Sequence, residues 1–272
     1  MRKQVSPSET DGAPGGPQRA IGTLSRGLDV LELFAAAGPE LTQKQISEAL
    51  GLPMPSVHRL VAVLTERGWL DRDPASRRLR LGLEMARLVP ALLAGMRLPE
   101  LARPHVQRLV SRIQETVNVA TLEGADVVYL LSETGDRLLA PRVSVGMRLP
   151  AHCTALGKCL LAQLPPDLAR AALGDEPYGR RTDRTQTTWR RLAADLKAIR
   201  DAGVAVSDEE YEVGLVSIAV PVRWIDGPGS AAINVSLPAA RATGSFRDEL
   251  TDGLREAAAA IDAEMSSPGS RP

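Results

Sequence analysis

Between Gly146 and Ala162 the chain reads GMRLPAHCTALGKCLLA. His152, Cys153, Thr154, Lys158 and Cys159 fall within a few residues of one another there, and both cysteines of the chain are among them. Three chemistries use residues of these types. A cysteine nucleophile needs a base within hydrogen-bond reach and a third group to orient that base. His152 and Cys153 are adjacent, so on a strand or loop their side chains point apart, and no orienting partner is evident. A zinc site needs three or four ligands. His58 and His105 lie in other elements, and His152, Cys153 and Cys159 alone have no familiar spacing. The third chemistry is anion binding. LPAHCTALGK reads as a loop running into a helix start, whose free N–H groups hold a carboxylate without a buried countercharge. The expectation is no catalytic residue, no metal and no cofactor, with Cys159 a small core residue on the apolar side of its helix.

The elements that position these residues divide the chain in two. LSRGLDVLELFAAAG puts Leu24, Leu28, Leu31 and Phe34 near one face of a helix that Gly38-Pro39 stops. LTQKQISEALGL starts at Thr42, a natural N-cap, and buries Ile46, Ala49 and Leu50. PMPSVHRLVAVLTERGWL opens with prolines suited to a first helical turn, carries the stripe Val57, Leu60, Val61 and Leu64, and ends at Gly68. WLDRDPASRRLRLG reads as strand, turn, strand, with Asp73–Ser76 as the turn. That order is a winged helix-turn-helix. Its third helix fits the major groove of B-DNA, and the second, opened by Gln43 and Lys44, braces it on the backbone. Pro55, Arg59, Ala62 and Glu66 lie opposite the apolar stripe, flanked by Ser56 and His58. The hairpin tip offers Arg77 and Arg78 to phosphate or minor groove. The alternative is a three-helix structural bundle with an incidental hairpin. LEMARLVPALLA then continues as an apolar helix, a linker and dimer contact that Pro90 kinks or breaks.

In the second half, ETVNVATLEGADVVYLLSE is a hairpin around Glu123–Asp126 and LLAPRVSVG a further strand. TALGKCLLAQL is a helix, and TWRRLAADLKAIRDAG an amphipathic helix capped by Gly203. VSIAVPVRWIDGPGSAAINVSLP is a second hairpin turning over Trp224–Ser230, and a last helix spans about Ser245–Glu264. An antiparallel sheet with helices to one side makes this half α+β. The expected boundaries are a disordered Pro-, Gly- and Ser-rich tail over 1–20, the winged helix over 21–82, a linker helix over 83–98, the sheet domain over 99–266, and a flexible end over 267–272.

Composition sets limits. The 272 residues are 44% apolar but only 3% aromatic, so the core must be Leu, Val, Ile and Ala. No run of about 20 apolar residues implies a membrane span. The basic N-terminus lacks the apolar stretch of a secretory signal, and two cysteines make no disulfide framework, so the cytoplasm is expected. Net charge is +0, yet its distribution is uneven. Arg59, Arg67, Arg72, Arg77, Arg78 and Arg80 outnumber Glu66, Asp71 and Asp73 between Met54 and Gly82, while acids dominate after Ser207. The early basic segment is either a phosphate-binding surface or a solvated helix and turn.

The order of winged helix, linker helix, VGMRLPAHCTALGKCLLAQLP, SDEEYEVGLVSIAVPV and AAINVSLP resembles the IclR family of bacterial transcriptional regulators, over roughly Leu24 to Ile261. RVSVGMRLPA, GLVSIAVPV and AAINVS are nearest the regulators of protocatechuate and 4-hydroxybenzoate catabolism. The resemblance implies a GAF-like effector domain, a dimer or dimer of dimers, and ligand-controlled binding to a palindromic or pseudo-palindromic double-stranded operator. It also implies an effector pocket walled by the Thr154–Gly157 helix start, with the N–H groups of Ala155 and Leu156, and by Leu215, Ser217, Asn234 and Ser236. Asn234 and Ser236 alternate so as to share a strand face, which is either the pocket or solvent. Aliphatic Leu138, Leu156 and Leu215 suit a flat ring acid better than a sugar. One departure is Ser207, where the family often has Asp: either Asp208 substitutes, or the pocket lacks that acceptor.

Overall fold

The computed structural model describes residues 17–88, 96–135, 143–224 and 229–266. Leu138, Pro90 and the tip of the second hairpin lie outside them. The chain separates into two compact units, Met1–Leu93 and Ala94–Pro272.

The first unit comprises α1 (Pro17–Ala37), α2 (Gln43–Leu50), α3 (Met54–Glu66), β1 (Leu70–Arg72) and β2 (Leu79–Leu81). Helix α1 begins inside the stretch that composition reads as tail. Thr42 closes a capping box on α2: its hydroxyl accepts from Gln45 N at 3.2 Å, and Gln45 Oε1 accepts from Thr42 N at 2.9 Å. Gly51 ends α2 at φ 62°, the left-handed conformation that glycine adopts at least cost. Val30, Phe34, Leu41, Ile46, Val57, Val61, Leu70 and Leu79 form the core. Leu41 pairs with Leu79 in an isolated antiparallel bridge, tying the α1–α2 connection to the hairpin. Two expectations fail. Ala49 is exposed. Leu24 and Leu28 are 67% and 50% exposed, because the inward stripe of α1 is phased on Val30 and Phe34 and leaves the leucines on a neighbouring one. After β2, residues 84–88 are helical.

The second unit contains α4 (Arg97–Ile113), β3 (Thr116–Glu123), β4 (Asp126–Glu133), β5 (Arg148–Pro150), a 3-10 turn (Ala151–Cys153), α5 (Ala155–Gln163), α6 (Pro166–Leu173), α7 (Trp189–Ala202), β6 (Ala205–Asp208), β7 (Leu215–Trp224), β8 (Gly229–Pro238) and α8 (Gly244–Ser266). One six-stranded antiparallel sheet runs β5-β4-β3-β8-β7-β6. Helices cover both faces rather than one, and the reason is visible in β7 and β8. Val216, Ile218, Val220, Val222, Ile233, Val235 and Leu237 point one way, into a core completed by α4 and α8. Ala219 and Ala232, on the alternate positions, pack under α5 and α7. Large residues on one face and small ones on the other let α5 approach the sheet closely. Gly157 permits the same closeness at the 3-10 turn, since a Cβ there would lie 2.2 Å from the Ala151 backbone.

Candidate functional site

On α3, Val57 and Val61 are buried while Pro55, His58, Arg59 and Ala62 are exposed and Ser56 is half-buried. The amphipathic phase therefore turns a short polar face outward from the first two turns. Arg59 stands where that face meets an apolar groove, which it lines together with Ser56, Leu60, Val63, Leu24, Leu28, Leu31, Leu81 and Leu88. On α2, Lys44 is exposed and pairs with Glu48 at 3.7 Å. Gln43 is half-buried, and its Nε2 is buried without a partner among the described residues. In the β1–β2 turn, Asp73 Oδ1 accepts from Ala75 N at 3.1 Å and from Ser76 N at 2.6 Å. These bonds hold the Asp73 carboxyl below its ordinary range. They fold the turn tightly, with Arg77 at φ 61°, and leave Arg77 and Arg78 exposed at the tip.

The sheet register builds a second site. Ser132, Asn118 and Asn234 lie opposite one another across β4, β3 and β8, and Ser236, Ser217 and Ser207 do so across β8, β7 and β6. Both rows face the small-residue side. Beyond them lies a cavity of ≈ 170 Å³. Its polar lining is Asn118, Thr154, Ser207, Ser217, Asn234, Ser236 and Glu212, and its apolar lining includes Tyr129, Val143, Met147, Leu149, Ala155, Tyr211 and Leu215. Polar groups this deep are costly unless paired, and they are paired. Ser132 Oγ donates to Asn118 Oδ1 at 2.7 Å, Asn118 Nδ2 to Asn234 Oδ1 at 2.8 Å, and Asn234 Nδ2 to Ser236 Oγ at 3.0 Å. Ser236 and Ser217 share a bond of 2.9 Å. At the opposite wall, Thr154 caps α5 by accepting from Gly157 N at 3.2 Å. The N–H groups of Ala155 and Leu156 have no acceptor among the described residues.

The structure thus brings Thr154, Ala155, Leu215, Ser217, Asn234 and Ser236 to one cavity and leaves two expected residues out. Leu156 is fully buried in the core beneath α5, because the helix turns its side chain toward the sheet. Asp208 is one strand position past Ser207 and so faces the other way. It pairs with Arg184 and Arg247, each at 2.8 Å. Ser207 itself lines the cavity and donates to Cys153 O at 2.9 Å. Asn118 escaped the sequence reading, although it sits between Val117 and Val119 as Asn234 sits between Ile233 and Val235.

The polar residues between Gly146 and Ala162 each have different partners. His152 Nε2 donates to Gly179 O over 2.9 Å and its ring packs on Tyr178, and burial pushes its pKa down. Burial pushes the Cys153 and Cys159 thiols up to about 12, so neither is a thiolate at neutral pH. Lys158 is fully buried and donates to Asp195 Oδ2 at 2.7 Å and Glu210 Oε1 at 2.5 Å. Burial raises the Glu210 pKa, an effect that Lys158 opposes. Among the described residues no group of three or more His, Cys, Asp or Glu side chains is arranged to hold a metal ion, and no helix is long and apolar enough to cross a membrane.

A winged helix carrying an exposed polar helix face, with a separate sheet domain enclosing a small polar-walled cavity, defines a DNA-binding protein with a ligand-binding module. Two family models match: the IclR helix-turn-helix domain over residues 23–74, and the bacterial transcriptional regulator IclR C-terminal domain over residues 91–263. The chain belongs to the IclR family of bacterial transcriptional regulators. It is 36% identical over 242 residues to the Pca regulon regulatory protein of Pseudomonas putida, covering 89% of this chain and 82% of that one. It is 31% identical to the p-hydroxybenzoate hydroxylase transcriptional activator of Acinetobacter baylyi, over 79% and 80% of the two chains. The structure is similar to that of an IclR homolog from Microbacterium hydrocarbonoxydans complexed with 4-hydroxybenzoate, with a TM-score of 0.78, 28% identity, and 89% and 98% coverage.

Proposed function

We propose that this regulator binds one small organic acid, with a single aromatic ring, in the cavity between the α5 start and the β7–β8 wall, and that occupancy changes its affinity for its operator. The carrying observation is the cavity itself. At ≈ 170 Å³ it is close to the roughly 150 Å³ that accommodates a benzene ring. Its apolar lining suits a ring body, its serines and asparagines suit a ring substituent, and the uncapped N–H groups at α5 suit a carboxylate. The relative named for p-hydroxybenzoate hydroxylase and the neighbour holding 4-hydroxybenzoate support the same class.

Operator reading falls to α3 through Arg59, with Pro55, Ser56 and His58 beside it. Gln43, Lys44, Arg77 and Arg78 contact phosphates. The protein acts as a homodimer or dimer of dimers on a two-fold-related operator, with the exposed leucine-lined groove of the first unit covered by a second copy. It performs no catalysis, a reading that rests on its relatives being named as regulators, and it works in the cytoplasm, where its DNA is. The test is the double variant Asn234→Ala/Ser236→Ala. Operator affinity in a gel-shift titration should stay at the wild-type value, and the response to 4-hydroxybenzoate should vanish. A wild-type response in the double variant moves the pocket elsewhere.

A further inference from the structure

We infer that Asn118 decides which half of a hydrogen bond the ligand must supply at the sheet wall. The inference rests on the proposed cavity and adds to it the polarity of one subsite. Asn118 is 1% exposed and lines the cavity from β3. A primary amide has an acceptor at one end and donors at the other, so its orientation is passed to whatever it bonds. Ser132 donates to Asn118 Oδ1, and Asn118 Nδ2 then donates to Asn234 Oδ1. That leaves Asn234 only its own Nδ2 to turn toward Ser236, where it donates to the hydroxyl oxygen.

Two hydroxyl protons remain, on Ser236 and Ser217. Their oxygens are 2.9 Å apart, so one proton is used between them. The other has no acceptor among the described residues, whichever serine carries it, and both serines line the cavity. The wall therefore presents a spare donor. A ligand group that accepts satisfies it. A group that can only donate finds a lone pair on Ser217 Oγ but leaves the spare hydroxyl proton without an acceptor. Asn118 acts here through Asn234 and the serines, as a specificity-determining residue.

Replacing Asn118 by Asp reverses the chain. A carboxylate offers only acceptors, so the Asn234 amide must turn Nδ2 toward residue 118 and Oδ1 toward Ser236. Ser236 then donates to Asn234, Ser217 donates to Ser236, and the wall presents a lone pair. Three probes of one shape separate the cases by calorimetric titration of the full chain. Pyridine-4-carboxylate N-oxide only accepts at its para atom, 4-aminobenzoate essentially only donates, and 4-hydroxybenzoate does both. The wild type should bind the N-oxide at least ~10-fold more tightly than the amine, the scale of one unmatched buried group, and 4-hydroxybenzoate comparably to the N-oxide. Asn118→Asp should invert the N-oxide-to-amine ratio. If that variant does not fold, Asn118→Leu, which removes both ends of the bond and frees Asn234 to turn, should bring the ratio close to one. Equal binding of N-oxide and amine by the wild type, or a wild-type ratio in the folded variant, overturns the inference and leaves the cavity assignment standing. If none of the three probes binds the wild type, the ring-acid reading falls and the inference with it.

Discussion

Cys153 and Cys159 are both buried, and burial lifts each thiol from its ordinary 9.0 to about 12. The folded state therefore holds these protons more tightly than the unfolded state. The stability they contribute is complete below pH 9 and is lost as pH rises toward 12. Two outcomes are expected. Iodoacetamide at pH 8 should label neither cysteine until denaturant is added, as read by intact mass. A Cys153→Ala/Cys159→Ala variant should lose stability less steeply than the wild type between pH 9 and 11 in thermal melts. Native labelling of Cys153 at neutral pH would restore a chemical role for it. At this scale the sequence was half legible. Asn234 and Ser236 stood out as polar residues within an apolar strand. Asn118 carries the same signal, but nothing in its own segment says that it faces Asn234, because that pairing joins strands more than a hundred residues apart. Asp208 misled for a related reason, since a one-residue step along a strand exchanges its faces.

The winged helix was the most legible element. Its signals are local: a Thr42 cap, prolines at the start of α3, a glycine after it, and an Asp73 turn. The two-sided packing of the sheet was not legible, because α4 and α8 reach their face only through the three-dimensional connection of distant segments. The two roles assigned to the DNA-binding elements predict different signatures on one operator. Arg59→Ala should cost about 1–3 kcal/mol and relax base preference at one position, measured by binding to a panel of single-base operator variants. Arg77→Ala/Arg78→Ala should weaken specific and non-specific binding together and flatten the slope of log affinity against log salt by up to about two. A selective loss from the wing pair, or a uniform loss from Arg59, would exchange the two assignments.

For the whole molecule, the groove of the first unit is the feature least suited to a monomer. Leu24, Leu28, Val63 and Leu88 are each at least half exposed, and they line it together. Contiguous apolar surface of this kind marks an interaction site. Leu28→Glu/Val63→Glu should shift the full chain toward monomer in light scattering and lower its operator affinity, while leaving probe binding in the sheet domain at the wild-type level. An unchanged molar mass would place the subunit contact elsewhere. The division of labour between the two faces of β7 and β8 has a consequence for how such a regulator changes over generations. Val216, Ile218, Ile233 and Val235 hold the fold, and Ser217, Asn234 and Ser236, interleaved with them, hold the cavity. If the cavity is the effector site, mutations at the interleaved positions change the signal without disturbing the core on the other face. A lineage can therefore exchange the metabolite it answers to by drifting at alternate codons, with its operator and its architecture carried along unaltered.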